Sequence, residues 1–144
     1  MDTTFNDPAN AKIADGVFQQ QKDVSLGFVA QNDGTATTLM LSENIDATNW
    51  TANNPANAFE SAIVWFNNEP SGCGLNQNNS CSGNQKARPR SNHSGGFVAT
   101  FCDGHTAFLS QEIGYNVYKL IMTPDGSNAT HPQTTPLDEA MLNK

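Results

Sequence analysis

The sequence predicts an α+β fold in which a C-terminal helix packs on an antiparallel sheet. Two alternating apolar runs flank Asp103-Gly104, a dipeptide typical of a β-hairpin. A stripe of apolar residues with helical spacing follows over residues 111–122. Asn, Thr, Ser and Gly dominate the remainder, which indicates long polar loops. The length of 144 residues suits a single domain, and we expect extended tails at 1–14 and 128–144.

Charge and hydropathy exclude two classes of partner. The formal net charge is −7 with only 7 Lys and Arg residues, whereas nucleic-acid binding needs several basic phosphate contacts. No apolar run approaches the ~20 residues that span a bilayer. We therefore expect no nucleic-acid partner and no membrane span within this chain.

The first predicted elements are a short helix and a strand. Ser25 can N-cap a helix that ends near Asn32 and Gly34. The strand covers residues 37–44, with Leu39 and Leu41 expected on one face. Glu43 closes this strand on the leucine side, which is typical either of a site or of an exposed strand end.

The run over residues 61–66 is the most apolar of the chain and predicts a central strand. Trp50 lies in the Asn-rich loop before it and is expected to fold onto the core. Residues 67–92 then form a loop longer than ordinary connections. We expect a disulfide between Cys73 and Cys81 to staple this loop, with Cys102 a buried free thiol.

The predicted hairpin has a two-residue type I′ turn at Asp103-Gly104 and lies centrally in its sheet. This register pairs Cys102 with His105, Phe101 with Thr106, Ala99 with Phe108 and Val98 with Leu109. It would place three phenylalanines, Phe97, Phe101 and Phe108, on one face. Val98, Cys102, Ala107 and Leu109 would share the other.

Ser110 is the expected N-cap of the C-terminal helix, which covers residues 111–122. Its apolar stripe is expected to comprise Ile113, Val117, Leu120 and Ile121. Pro124 and Gly126 lie in the stretch that ends it. Leu137, Met141 and Leu142 of the tail can dock back on the domain.

Four residues with reactive side chains follow one another closely: His93, Cys102, Asp103 and His105. An extended strand would hold His93 and Asp103 about 25 Å apart, so they do not form a dyad. We interpret Asp103 and Gly104 as turn residues. Gly95-Gly96 would permit unusual backbone angles before the strand. His93 is expected to hydrogen-bond loop backbone. A Cys102/His105 hydrolase pair remains an alternative that needs a third, orienting group.

Calcium is the one ligand that the composition leaves open. Asp33, Glu43, Asp46 and Asp103 offer carboxylates, but no Asp-x-Asp-x-Asp loop is present. We therefore predict no cofactor, with calcium as the alternative.

The spacing of His93 and Asp103-Gly104 resembles the H-X9-DG signature of the prepilin-type processing-associated proteins, a pilin-like family of planctomycetes and their relatives with unknown function. Three longer stretches, over residues 33–44, 88–110 and 115–127, are also similar to that family. The motif positions are His93, Gly95, Gly96, Asp103 and Gly104.

The resemblance implies a prepilin leader and a long apolar N-terminal helix, as in type IV pilins and type II secretion pseudopilins, followed by a globular α+β domain. It supplies no catalytic residues. We expect this chain to be the C-terminal portion without that helix.

The predicted function is a non-enzymatic surface or secretion-system component that meets other pilin-like subunits through the missing helix. The isolated chain is then expected to be a monomer. The full-length protein would be membrane-anchored at the cell surface, in the periplasm or outside the cell. The alternative is an extracellular binding module that uses the 67–92 loop to recognise a glycan or a calcium-dependent partner.

Overall fold

The computed structural model describes residues 12–19, 22–47, 62–77, 80–137 and 139–143. Two helices, α1 (Leu26–Gln31) and α2 (Tyr115–Met122), accompany three strands, β1 (Leu39–Ser42), β2 (Gly96–Phe101) and β3 (Thr106–Ser110). The strands form one antiparallel sheet in the order β1-β2-β3. The α+β prediction is confirmed. Trp50 lies outside the described residues.

Helix α1 forms where the capping residues predict it. The Ser25 hydroxyl accepts a hydrogen bond from the Phe28 N–H at 3.1 Å, which satisfies one of the free donors of the first turn. Beyond the C-cap at Asn32, Gly34 has a φ of +90°. Val29 is the buried residue of this helix.

Strand β1 carries a bulge that the sequence pattern does not reveal. Leu39 pairs with Phe101 but Leu41 pairs with Thr100, so Met40 is an extra residue in the ladder. The predicted common face of Leu39 and Leu41 is therefore wrong. Leu39 is 3% exposed in the core, whereas Leu41 is 53% exposed on the outer face.

The predicted turn between β2 and β3 is one residue too short. Ala99 pairs with Ala107 and Val98 with Phe108. The Phe101 N–H binds the His105 carbonyl, and the Gly104 N–H binds the Phe101 carbonyl, both at 2.9 Å. These bonds define a longer loop over residues 102–104, a turn followed by a left-handed glycine, instead of the two-residue type I′ turn.

This one-residue slip exchanges the faces of β3, because side chains alternate along a strand. Phe97, Phe101 and Leu109 face the core, and Phe108 is 54% exposed on the opposite, outer face. The prediction that Phe108 shares a face with Phe97 and Phe101 is wrong. β2 is central, but β3 is an edge strand.

Residues 64–66 are buried, but the described residues 62–66 do not form the predicted central strand. The Val64 N–H binds the Ala87 carbonyl at 2.8 Å, and the Val64 carbonyl accepts from the Tyr118 hydroxyl at 2.8 Å. The Phe66 N–H donates to the Tyr115 hydroxyl at 2.9 Å. Tyrosine hydroxyls and a loop carbonyl thus supply the hydrogen bonds of this backbone. The length of an apolar run alone cannot distinguish a buried strand from a buried irregular segment.

Helix α2 begins four residues later than predicted, after an N-cap at Gly114. The Ser110 hydroxyl instead accepts from the Glu112 N–H at 3.1 Å, within a tight turn that closes at Ile113. The helix buries Tyr118, Ile121 and Met122. The predicted stripe is only partly right: Ile121 is buried, but Ile113 precedes the helix and Val117 and Leu120 are half-buried. It also omitted Tyr118, which is fully buried.

The segment that follows α2 is part of the domain core. Ala129 is buried, and Asp15 binds both the N–H and the hydroxyl of Thr130, at 2.6 and 2.7 Å. Leu137 and Leu142 pack against the main hydrophobic cluster. Among the described residues, no helix is long and apolar enough to cross a membrane.

Candidate functional site

The motif residues occupy the two ends of β2. His93, Gly95 and Gly96 lie where the strand begins, and Asp103 and Gly104 follow its last residue. The structure therefore separates the motif into two clusters. Each cluster contains a pair of one histidine and one carboxylate, and at least one backbone position that requires glycine.

The first cluster joins His93 to Glu43. The His93 Nε2 lies 3.3 Å from the Glu43 Oε1, and the other carboxylate oxygen accepts the Val98 N–H at 2.8 Å. Both side chains are partly exposed, at 56% and 36%. The expectation that the His93 side chain binds loop backbone is wrong, and Glu43 at the end of β1 is its partner.

The His93 ring also packs edge-on against Phe108, with ring centroids 6.2 Å apart. This contact crosses from the loop before β2 to strand β3. The His93–Glu43 pair and an aromatic side chain thus lie next to each other at one end of the outer face of the sheet.

Two glycines fit this end of β2 for different reasons. Gly95 has a φ of +82°, a conformation that disfavours side chains. A Cβ atom at Gly96 would lie 2.1 Å from the Leu109 carbonyl oxygen and 2.8 Å from the Phe108 ring. The motif therefore needs glycine at Gly96 for close packing of β3.

The second cluster joins Asp103 to His105. The Asp103 Oδ1 accepts the His105 N–H at 3.0 Å and lies 2.6 Å from the His105 Nδ1. The hydrogen bond from the His105 N–H, followed by that from the ring, lowers the pKa of Asp103. The His105 ring stacks on Phe101 with a centroid distance of 4.5 Å.

Cys102 is buried beside this turn and is a free thiol. Burial raises the pKa of its thiol, and the charge of Asp103 raises it further. Both effects disfavour the thiolate that a nucleophile requires. The register that placed Cys102 opposite His105 is wrong, and the His105 ring binds Asp103 and Phe101 instead.

The four carboxylates considered for calcium are engaged separately. Asp33 accepts the Gly126 N–H at 2.6 Å, Asp46 pairs with Arg88 and Arg90, and the partners of Glu43 and Asp103 are the histidines above. Within the described ranges, no group of three or more His, Cys, Asp or Glu side chains could hold a metal ion.

Sequence reasoning did not identify the residues that order the long loop. Asn76 has a φ of +52°, and its Nδ2 donates to the carbonyls of His93 and Gly96 at 3.2 and 2.9 Å. Its Oδ1 accepts the Ser91 N–H at 2.7 Å. A lone Asn in an Asn-rich loop carries no sequence signal for this role, although Asn tolerates left-handed backbone.

Arg88 is the second residue that orders the loop, and it is 4% exposed. Its Nε donates to the Gly74 carbonyl at 3.0 Å, and one terminal nitrogen donates to the Gln77 carbonyl at 2.8 Å. Burial lowers the pKa of Arg88, and Asp46 opposes that change from 3.2 Å. The Cys73–Cys81 disulfide is present and closes the same loop.

A polar cleft of about 400 Å³ lies between the end of α1 and the segment after α2. Its polar lining includes Asp33, Thr37, Ser127 and Gln133. Burial raises the pKa of Asp33, while the Gly126 N–H opposes the change. The sequence placed Asp33 at the end of the first helix and among the possible calcium ligands, but gave no sign of this cleft.

Comparison with curated proteins and with solved structures gives no significant match. A family model described as "Protein of unknown function (DUF1559)" matches residues 2–116. This match covers most of the chain, including both clusters of the H-X9-DG motif. The chain therefore belongs to the DUF1559 family of unknown function, the H-X9-DG family that the sequence resembles.

Proposed function

We propose that this domain is the globular part of a non-enzymatic, pilin-like surface or secretion-system component that acts through assembly and display. In the full-length protein, an N-terminal apolar helix of the kind implied by the resemblance would join it to other pilin-like subunits and anchor it in the membrane. The isolated chain would be a monomer without a cofactor.

The observation that carries this proposal is the use of the motif residues. Gly96 admits the Phe108 ring and the Leu109 carbonyl, and Gly104 adopts the left-handed backbone of the turn. Asp103 accepts the N–H of His105 inside the same loop. Residues with these roles determine the backbone conformation at the two ends of β2. This favours a structural role for the motif over a reaction centre.

The disulfide supports the proposed location outside the cytoplasm. Cys73 and Cys81 are bridged, and such bonds persist mainly in oxidising compartments. The low charged fraction and the polar loops agree with an exported domain.

The alternative, an extracellular binding module, draws on the order of the long loop. The disulfide, Asn76 and Arg88 hold the described parts of this loop, residues 73–77 and 80–91, in place. A loop ordered before binding loses less entropy when it meets a partner. This candidate needs no N-terminal helix.

N-terminal processing of the full-length gene product distinguishes the pilin-like component from the binding module. We expect co-expression with a prepilin peptidase to yield a shortened N-terminus directly before an apolar helix, and membrane fractionation to recover the product. The matched control is the same gene with a catalytically inactive peptidase. Cleavage by an ordinary signal peptidase, with release of soluble protein, would favour the binding module instead.

Activity of the domain tests the non-enzymatic part of the proposal. We expect no esterase or peptidase turnover from the purified chain. Turnover that Cys102→Ser abolishes, with the fold retained by circular dichroism, would overturn this part.

A further inference from the structure

Strand β3 is an edge strand whose free side carries backbone groups ready to pair. Val98, opposite Phe108 on β2, directs its N–H and carbonyl toward Glu43 of the β1 side. In an antiparallel pair, such a position is non-hydrogen-bonded, so Phe108 directs its own N–H and carbonyl away from β2. Thr106 occupies an equivalent position two residues earlier.

Outside the sheet ladder, the described part of the chain does not use these outward groups. Among the described residues, no hydrogen bond reaches the backbone N–H or carbonyl of Thr106 or Phe108. The C-terminal turn Glu139–Asn143 contacts β3, with Leu142 packed against the core cluster. Within the described ranges, that contact adds no hydrogen bond to the free edge of β3.

The edge also lacks the features that normally prevent strand addition. Natural edge strands are protected by charged side chains, proline or bulges. Between Thr106 and Ser110 there is no charged residue and no proline, and the ladder with β2 has an unbroken register. Phe108 is 54% exposed beside this edge.

We propose that β3 pairs with β3 of a second copy of this chain, antiparallel and about a two-fold axis at Phe108. The two Phe108 residues would exchange both backbone hydrogen bonds, and Thr106 would lie opposite Ser110 of the other copy. The two sheets would then join into one, and the two exposed rings would pack side by side on its outer face.

The self-complementarity of the segment favours a second copy over an unrelated strand. The sequence TAFLS is centred on Phe108, with a hydroxyl residue at each end. An isologous interface requires that each residue meet its own symmetry mate or a matching partner.

The contact is small, so the pairing is weak. Interfaces well below about 1,200 Å² are typical of transient encounters. The chain would remain monomeric at micromolar concentration and pair in the millimolar range, or where an assembly holds copies close together. The net charge of −7 on each copy opposes encounter, so moderate salt should strengthen the pairing.

Amide chemical shifts measured against protein concentration test the pairing. We expect concentration-dependent shifts at Thr106, Phe108 and Ser110, and none in α1. Phe108→Lys should weaken association at least about tenfold, because two like charges would lie directly opposite. Phe108→Pro should have the same effect by removing the outward N–H, which leaves the ladder with β2 intact. Circular dichroism of both variants verifies the fold.

Oxidative cross-linking provides a second measurement. Hydrogen-bonded pairs have Cα atoms about 5.5 Å apart, which is suitable for a disulfide. Phe108→Cys should therefore form a covalent dimer. The matched control is Val98→Cys, on the same face but on the central strand, which should cross-link far more slowly.

Three results would overturn the proposal. These are concentration-independent shifts along β3, equal cross-linking of the two cysteine variants, and association that is unchanged in Phe108→Lys and Phe108→Pro. Pairing of β3 with an extended peptide of another protein, without any self-association, would also reject the second copy as occupant. None of these outcomes depends on the pilin-like role, which N-terminal processing tests separately.

Discussion

Gly104 determines how the chain returns from β2 to β3. Its φ of +91° places it in the left-handed region, where a side chain is strained. The neighbouring side chains make only surface contacts at this turn: His105 stacks on Phe101 and pairs with Asp103. At the residue scale, backbone conformation therefore outweighs the side-chain contacts of the motif.

We predict that Gly104→Val destabilises the domain far more than His105→Ala. A β-branched residue at positive φ costs on the order of 1–3 kcal/mol, whereas loss of a cross-strand contact costs below about 1 kcal/mol. Denaturant midpoints of the two variants measure the difference. Equal losses would contradict the role assigned to the glycine.

We also predict that Asp33→Asn stabilises the domain at neutral pH. Burial raises the folded-state pKa of Asp33, so its contribution is favourable below the unfolded pKa and is lost as pH rises through the folded pKa. Asparagine retains an acceptor for the Gly126 N–H without the negative charge that partial desolvation disfavours.

The difference in denaturant midpoint between Asp33→Asn and the unmodified chain should shrink as pH falls below about 4. The exposed Asp23→Asn is the control and should have little effect at neutral pH. A midpoint lowered by Asp33→Asn at neutral pH would mean that the charge itself stabilises the bond to Gly126.

At the scale of elements, the long loop and the sheet are held by different means. The sheet depends on its ladder and core, but residues 73–77 rely on the disulfide, Asn76 and the buried Arg88. Arg88 satisfies two loop carbonyls while its charge is neutralised by Asp46. These contacts give the described part of the long loop a defined path outside the sheet.

We predict that Cys73 and Cys81 are bridged in exported protein and that Cys102 is free. Replacing both bridged cysteines by serine should reduce stability by about 2–3 kcal/mol, the loop-closure effect of a short bridge. Peptide mapping by mass spectrometry under non-reducing conditions identifies the pairing. A disulfide-linked peptide that contains Cys102 would contradict this assignment.

At the scale of the whole molecule, segments far apart in sequence close the core together. Asp15 is 1% exposed and binds the Lys12 N–H at 2.7 Å as well as Thr130. The Trp65 indole donates to the Asp15 carbonyl at 2.7 Å. One buried carboxylate therefore joins the beginning of the described chain to the segment after α2.

We predict that Asp15→Ala destabilises the whole domain by roughly 3 kcal/mol, since it leaves three part-buried donors of Lys12 and Thr130 without an acceptor. Thermal unfolding should remain a single transition at lower temperature. Asp23→Ala, at an exposed position, serves as the control. A local loss of structure after residue 123, with the sheet unaffected, would contradict this coupling.

Local signals in the sequence were sufficient for several features. They include the Ser25 cap, the end of α2 before Pro124 and the pairing of Cys73 with Cys81. Each depends on residues within about a turn or a short loop of one another, where backbone preference and side-chain chemistry act directly. The α+β class and the family resemblance were also accessible from sequence.

The register of β3, the bulge at Met40 and the partner of His93 were decided only by the tertiary structure. A one-residue difference in a turn changes few local preferences, but it moves every side chain of a strand to the opposite face of the sheet. Burial of Phe97 and Leu109 selects the observed register. Glu43 is fifty residues before His93, and sheet formation alone brings them to 3.3 Å. Contacts between such distant residues depend on the packed core as a whole, which no local pattern contains.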